Sequence, residues 1–125
     1  MASGRILILD DDEMVAPMFA AALSGRQHEV VVCTSYEEAR KELKRELPRA
    51  LLTDVRLGAY NGLQLAILFR ALSPDAPIVV VSGHDDNVIR EEARRIGAAF
   101  LLKPVDIDKL CAYFATETPP TRQPR

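Results

Sequence analysis

The sequence predicts an α/β protein, a doubly wound parallel sheet in which five strands alternate with five helices. Two observations carry this. Short apolar runs (Ile6-Leu7-Ile8-Leu9, Ala50-Leu51-Leu52-Thr53, Ile78-Val79-Val80-Val81 and Phe100-Leu101-Leu102) read as strands buried on both faces, with segments of helical apolar spacing between them. Each run also ends in residues that carry chemistry: Asp10-Asp11-Asp12, Asp54, Ser82-Gly83 and Lys103-Pro104. In open α/β sheets the carboxyl edge of the strands is where ligands gather.

Composition bounds the answer. A chain of 125 residues makes one domain with a single good core. A hydrophobic share of 48% fits a globular protein, and a net charge of −2 supplies no basic face for nucleic acid. Cys33 and Cys111 lack a CxxC spacing, so a reduced, cytoplasmic setting is expected rather than a disulfide. There is no signal peptide, no apolar run of spanning length and hence no expected membrane partner.

Met1 to Gly4 reads as a short leader, and Arg5 opens the first strand. Asp11 or Asp12 is placed to cap the following helix, whose core stripe reads as Val15, Met18, Ala22 and Leu23. Pro17 then requires that helix to start late or bend, and Ala16, Pro17, Ala20 and Ala21 form an uncharged outer face. His28 to Cys33 is the second strand. Ser35 and Glu38 form a capping box, Ala39, Leu43 and Leu47 face inward, and Pro48 ends the helix. Gly58, Asn61 and Gly62 turn the chain after Asp54. Leu63 to Leu72 has only Gln64 and Arg70 polar, more apolar than one packed face needs, which makes it a lesser candidate for self-association as a homodimer. Ile89, Ala93 and Ile96 face inward on the next helix, which Gly97 terminates. A last helix runs from Asp106 to Phe114 with Ile107, Leu110, Cys111 and Phe114 buried. Residues 1–116 form the domain, and residues 117–125 a Pro-rich, disordered tail.

If Asp10, Asp11 and Asp54 meet at one edge, each close pair repels by roughly 4 kcal/mol. A cation is needed, and hard oxygens on an open site suit Mg²⁺, which keeps waters and favours a phosphoryl co-ligand. Lys103 and the Ser82 hydroxyl complete a setting for a phosphoryl group on a carboxylate.

These residues together resemble a response-regulator receiver domain of two-component signalling (the CheY-like superfamily), over residues 5 to about 115. The marks are Asp10-Asp11, Asp54 at the phosphoacceptor position, Ser82 at the Ser/Thr position, Lys103-Pro104, and Phe100 at the aromatic switch position. The resemblance implies a flavodoxin-like sheet of order 2-1-3-4-5 and Mg²⁺-dependent transfer to Asp54 from a histidine kinase or histidine phosphotransfer protein. It also implies metal ligation by Asp10, Asp11, Asp54 and the Arg56 carbonyl, and a cis bond at Lys103-Pro104. Arg56 and His84 fall where the family tunes phosphoryl lifetime. Two departures stand out: Gly58 replaces the usual Pro, and only Ala98 and Ala99 separate Gly97 from Phe100, one residue fewer than is common. Signalling is expected through altered protein contacts, without turnover of an independent substrate. As no effector domain follows, output is expected through the chain's own surfaces or by onward phosphoryl transfer.

Other readings stay open at this point. Asp12 reads better as a helix cap than as a metal ligand, Phe100 equally well as a core aromatic, and His84 as a loop surface residue. The whole chain could be a receiver-like interaction module that is never phosphorylated. Asp10-Asp11-Asp12 also contains the D-x-D pattern of haloacid-dehalogenase-type phosphatases, although Met14 stands where they carry Thr or Val.

Overall fold

Five parallel strands form one sheet: β1 (Arg5–Leu9), β2 (Glu29–Cys33), β3 (Ala50–Asp54), β4 (Ile78–Ser82) and β5 (Ala99–Leu102), in the order β2-β1-β3-β4-β5. The computed structural model describes residues 4–57 and 60–115. The expected Gly58 turn and the tail from residue 117 lie outside them. Five helices connect the strands: α1 (Val15–Ser24), α2 (Tyr36–Arg45), α3 (Gly62–Leu72), α4 (Asn87–Arg95) and α5 (Ile107–Ala115). This is the doubly wound architecture the alternation predicts.

Alternation along the strands divides the core. Leu7, Leu9, Cys33, Leu51 and Val80 pack on one face against Ala39 and Leu43 of α2, Leu65 and Phe69 of α3 and Ala93 of α4. Ile6, Ile8, Leu52, Val79 and Val81 pack on the other against Phe19 and Leu23 of α1 and Leu110 and Phe114 of α5. Cys33 and Cys111 are both free and belong to opposite layers. No helix among the described residues is long and apolar enough to cross a membrane.

Several expectations are corrected. The buried residues of α1 are Ala16, Phe19 and Leu23, whereas Met18 is 55% exposed. The bulky Phe19 has the largest apolar surface on this helix, and burying it sets the helix phase. The outer face is therefore Pro17, Met18 and Ala21, not one that includes Ala16. The helix does start late, so Pro17 falls in its first turn, where no amide is needed. The loop after Asp54 contains a two-stranded antiparallel ribbon, Arg56–Leu57 paired with Tyr60–Asn61, that the turn residues did not announce. The expected caps hold: Ser35 Oγ accepts from the Glu38 amide at 3.1 Å, and Glu38 reaches back to the Thr34 amide at 2.9 Å. Gly97 takes φ +73°, and Lys103-Pro104 is cis.

Arg70 organises the amino edge of the sheet. Its Nε donates to the Ile96 carbonyl at 2.7 Å, and its Nη1 to those of Ser73, Pro74 and Ala76 at 3.1, 3.0 and 2.7 Å. Its Nη2 donates to the Gly97 carbonyl at 3.2 Å. One guanidinium thus satisfies the carbonyls beyond the ends of both α3 and α4, which would otherwise lack partners. Arg70→Met should lower the unfolding free energy by about 2–3 kcal/mol, because charged hydrogen bonds are lost and half-buried carbonyls are left unpaired. Urea denaturation would show a lower midpoint with an unchanged m-value; a midpoint equal to wild type would contradict this role.

Candidate functional site

The carboxyl edge of the sheet is built by loops that leave each strand at nearly the same level. The Asp10 amide donates to the Cys33 carbonyl at 3.2 Å, the Val55 amide to Val81 at 2.9 Å, and the Lys103 amide to Ser82 at 2.8 Å. Gly62 is required here. A Cβ at this position would lie 1.7 Å from the Asp54 carbonyl oxygen and 2.6 Å from Thr53 Oγ1. The chain after the ribbon can return against β3 only without a side chain. The Thr53 hydroxyl lies 3.3 Å from the carbonyl oxygens of both Asp54 and Gly62 and donates to them, tying the start of α3 to the strand end. Asn61 and Gly62, expected as turn residues, instead end the ribbon and begin α3, and neither the close approach at Gly62 nor the part played by Thr53 had a signal in the sequence.

Three carboxylates converge. Oxygens of Asp10, Asp11 and Asp54 lie within 4.8 Å of one another. Asp10 is 1% exposed and Asp54 6%, whereas Asp11 is open to solvent. Lys103 Nζ stands 3.3 Å from Asp10 Oδ2 and 3.5 Å from Asp54 Oδ1, so one ammonium serves both buried acids. The Asp12 amide donates to Asp10 Oδ1 at 2.9 Å. Asp12 itself is turned away: its Oδ1 accepts from the Met14 and Val15 amides at 2.8 and 3.2 Å, which holds its carboxyl below the usual range. It is a helix cap.

The remaining candidates surround this group. Ser82 is buried, but its hydroxyl donates to the His84 carbonyl at 3.0 Å and accepts from the His84 amide at 3.1 Å. A Cβ on Gly83 would touch nothing within 4 Å, so the space beside Ser82 is open. Arg56 and His84 are exposed at the rim. Phe100 pairs in register with Val80, is half-buried, and carries the Arg90 guanidinium 4.5 Å from its ring centroid. No spacing rule would have drawn Arg90 from the sequence. Beside the site, Val15, Met18, Phe19, Lys103, Pro104 and Val105 line a mostly apolar cleft of about 350 Å³.

Chemically, the cluster is short of positive charge and rich in hard oxygen ligands on one open side. That set suits a divalent hard cation, with Asp10, Asp11 and Asp54 as ligands.

A family model described as "Response regulator receiver domain" matches residues 6–115. Among curated proteins, the chain is 30% identical over 116 residues to the DNA-binding transcriptional regulator NtrC of Proteus hauseri, covering 90% of this chain and 24% of the relative. It is 32% identical over 108 residues to the alginate biosynthesis transcriptional regulatory protein AlgB of Pseudomonas putida, covering 86% and 24%. The chain thus spans about a quarter of the length of these relatives. Among solved structures, a response regulator from Burkholderia pseudomallei with a phosphorylated aspartic acid, calcium ion and citrate superimposes with TM-score 0.82 at 30% identity, covering 91% of this chain and 68% of that one. A CheY-like receiver domain protein from Methanospirillum hungatei gives TM-score 0.83 at 24% identity, covering 91% and 92%, a likeness of fold.

Burial, and after it the Asp10 carboxylate, push the Asp54 carboxyl up to about 6, against the pull of Lys103 and the Arg56 amide. A raised carboxyl value means that the folded state binds the proton more tightly than the unfolded chain does. Its stabilising effect is complete below about pH 4 and is lost as pH rises through about 6. In metal-free buffer at pH 7, Asp54→Asn should therefore stabilise the protein by about 1–3 kcal/mol. It should also flatten the decline in stability between those pH values. A variant less stable than wild type at pH 7 would show that Lys103 outweighs the burial of the charge.

Proposed function

The chain belongs to the response regulator receiver domain family, and on that basis we propose that it accepts a phosphoryl group on Asp54 from a phosphohistidine of a histidine kinase or histidine phosphotransfer protein. The observation that carries this is the placement of Asp54: a single carboxylate at a strand end, within reach of Lys103 and beside the Asp10–Asp11 pair. An Asp54 oxygen attacks phosphorus, the bond from phosphorus to the imidazole nitrogen breaks, and its electron pair stays on the departing imidazole. Lys103, and Ser82 once its hydroxyl leaves His84, meet the phosphoryl oxygens. Mg²⁺, held by Asp10, Asp11, Asp54 and the Arg56 carbonyl, supplies charge neutralisation when bound. The calcium ion and phosphorylated aspartate of the Burkholderia relative support the same assignment of roles. Phe100 is the switch residue in this reading, and Arg56 and His84 modulate access at the rim.

Residues 1–116 are the receiver domain, and we place it in the cytoplasm, in keeping with two free, buried thiols. The haloacid-dehalogenase alternative needs Asp12 as an acid–base beside Asp10, and the α1 cap occupies Asp12. The unphosphorylated-module alternative leaves the strained carboxylate cluster without a use.

The phosphodonor docks on the outer face of α1. With the helix phase corrected, that face presents Met14, Pro17, Met18 and Ala21, continuous with the cleft that Lys103 helps to line. Ile67 and Leu72, about half exposed on α3, are a lesser face for self-association.

A small phosphodonor with Mg²⁺ should add one base-labile phosphoryl group, located on Asp54 by borohydride reduction and mass spectrometry. A label on Asp10, with Asp54→Asn still reactive, would overturn the proposal. Calorimetry should show Mg²⁺ binding in wild type and a weakened response in Asp11→Asn. Met18→Glu should slow transfer from a protein donor at least about tenfold, a loss of about 1.4 kcal/mol, while labelling by acetyl phosphate is unchanged. Equal slowing of both donors would remove α1 as the docking face.

A further inference from the structure

A chain of contacts outside the carboxylate cluster crosses the corner between β4 and α4. It begins at Ser82, whose hydroxyl both donates to and accepts from the His84 backbone. The next residue, Asp85, accepts from Arg90 at 2.7 Å through Nη2 and 3.2 Å through Nε. The Cζ of the same guanidinium lies over the Phe100 ring of β5, 4.5 Å from its centroid. A planar guanidinium can offer its edge to a carboxylate and its face to a ring at once, which an ammonium cannot. Arg90 therefore joins the loop that carries the Ser82–His84 bonds to the aromatic residue on the neighbouring strand. At its far side the loop is fixed to α4, where Asp86 Oδ1 accepts from the Val88 and Ile89 amides at 2.8 and 3.3 Å.

We propose that Arg90 is a positioning residue that latches the Ser82–His84 loop and the Phe100 ring in one arrangement, and that loading of Asp54 has to release this latch. The proposal rests on the phosphoacceptor reading of Asp54. Ser82 has one hydroxyl proton, and the His84 carbonyl holds it. To donate to an oxygen on Asp54, the hydroxyl must leave that carbonyl, which frees the 83–85 segment. At Gly83 there is room for the backbone to shift, since even an added Cβ would meet nothing within 4 Å. What opposes it is the pinning of Asp85 by Arg90. Both side chains are about half exposed, 57% for Asp85 and 48% for Arg90, so the ion pair is weak, as is a cation–π contact at such a site. A weak latch is one that a few new hydrogen bonds to a phosphoryl group can displace. Because the guanidinium is shared, opening at Asp85 and freeing of Phe100 are coupled.

The test uses the whole chain with three variants: Arg90→Met, which keeps the apolar stem over the ring; Asp85→Asn, which leaves Arg90 charged; and the double variant. Labelling of Asp54 by acetyl phosphate with Mg²⁺ should quicken about three- to tenfold in Arg90→Met and less in Asp85→Asn. The double variant should be no faster than Arg90→Met, the non-additivity of two groups acting through one contact. In the unphosphorylated variants, NMR should show shifts of the Gly83 and His84 amides in both and of the Phe100 ring protons in Arg90→Met. Unchanged amide and ring signals, or additive rate effects, would overturn the latch. If wild type takes no label, the phosphoacceptor reading falls, and the amide and ring signals still decide whether Arg90 holds the loop.

Discussion

Two acids almost removed from water, sharing one ammonium, are the constraint around which the upper half of this molecule is arranged. Asp10 and Asp54 lie 3.3 and 3.5 Å from Lys103 Nζ, with a third carboxylate beside them. Desolvation opposes ionisation of Asp54, and repulsion from the neighbouring Asp10 carboxylate adds to it. The fold answers with fixed backbone rather than with more cations: the Asp12 amide turns to Asp10, the Arg56 amide to Asp54, and the Lys103 amide anchors the last loop to Ser82. Even the glycine at the start of α3 serves this arrangement, since a methyl group there would collide with the Asp54 backbone. What remains is an anionic site short of a cation, which the fully buried strands beneath it are stable enough to tolerate.

The amino edge of the same sheet shows the opposite balance. Arg5, buried at the start of β1, donates to Glu42 Oε2 and to the Glu46 carbonyl, both at 2.6 Å, and so ties α2 to the strand. Arg70 does the same for the ends of α3 and α4. These cations have partners that match their donors, in geometry suited to holding elements together. Charge that is matched is structural here, and charge left over collects at the other end. The contrast between the two edges marks the function more sharply than the presence of ionisable residues does.

How much of this was legible in the sequence follows from the range of each interaction. The three central strands could be read because burial on both faces forces continuous apolar runs, and the candidate site because Asp10, Asp54, Ser82 and Lys103 sit one step past such runs. The phase of α1 could not be read correctly. Its residues are nearly all apolar, so periodicity alone leaves several stripes open, and only the packing of Phe19 against Ile6, Ile8 and Leu52 selects one. The ribbon after Asp54 is two residues per strand, too short for any pattern. Arg70 and Arg90 look like ordinary surface arginines in sequence. Their roles arise from partners 26 and 10 residues away, which the fold alone brings together.

The α1 phase also bears on how site and surface are connected. Asp12 ends the loop that begins at Asp10, and its carboxylate holds the turn that leads into α1, so the Asp10 loop and that turn are joined. That turn carries Met14 and stands next to Met18, whose neighbours in the apolar cleft are Lys103, Pro104 and Val105. Lys103 is thus common to both places: its ammonium stands between the two buried acids, and the residue also lines the cleft. A partner helix seated on this face would cover Lys103 and exclude water from one side of it. The Coulombic attraction between Lys103 and the two acids would strengthen as the local dielectric fell. Docking on this face and charge balance at Asp54 would in this way be coupled through a single side chain, Lys103.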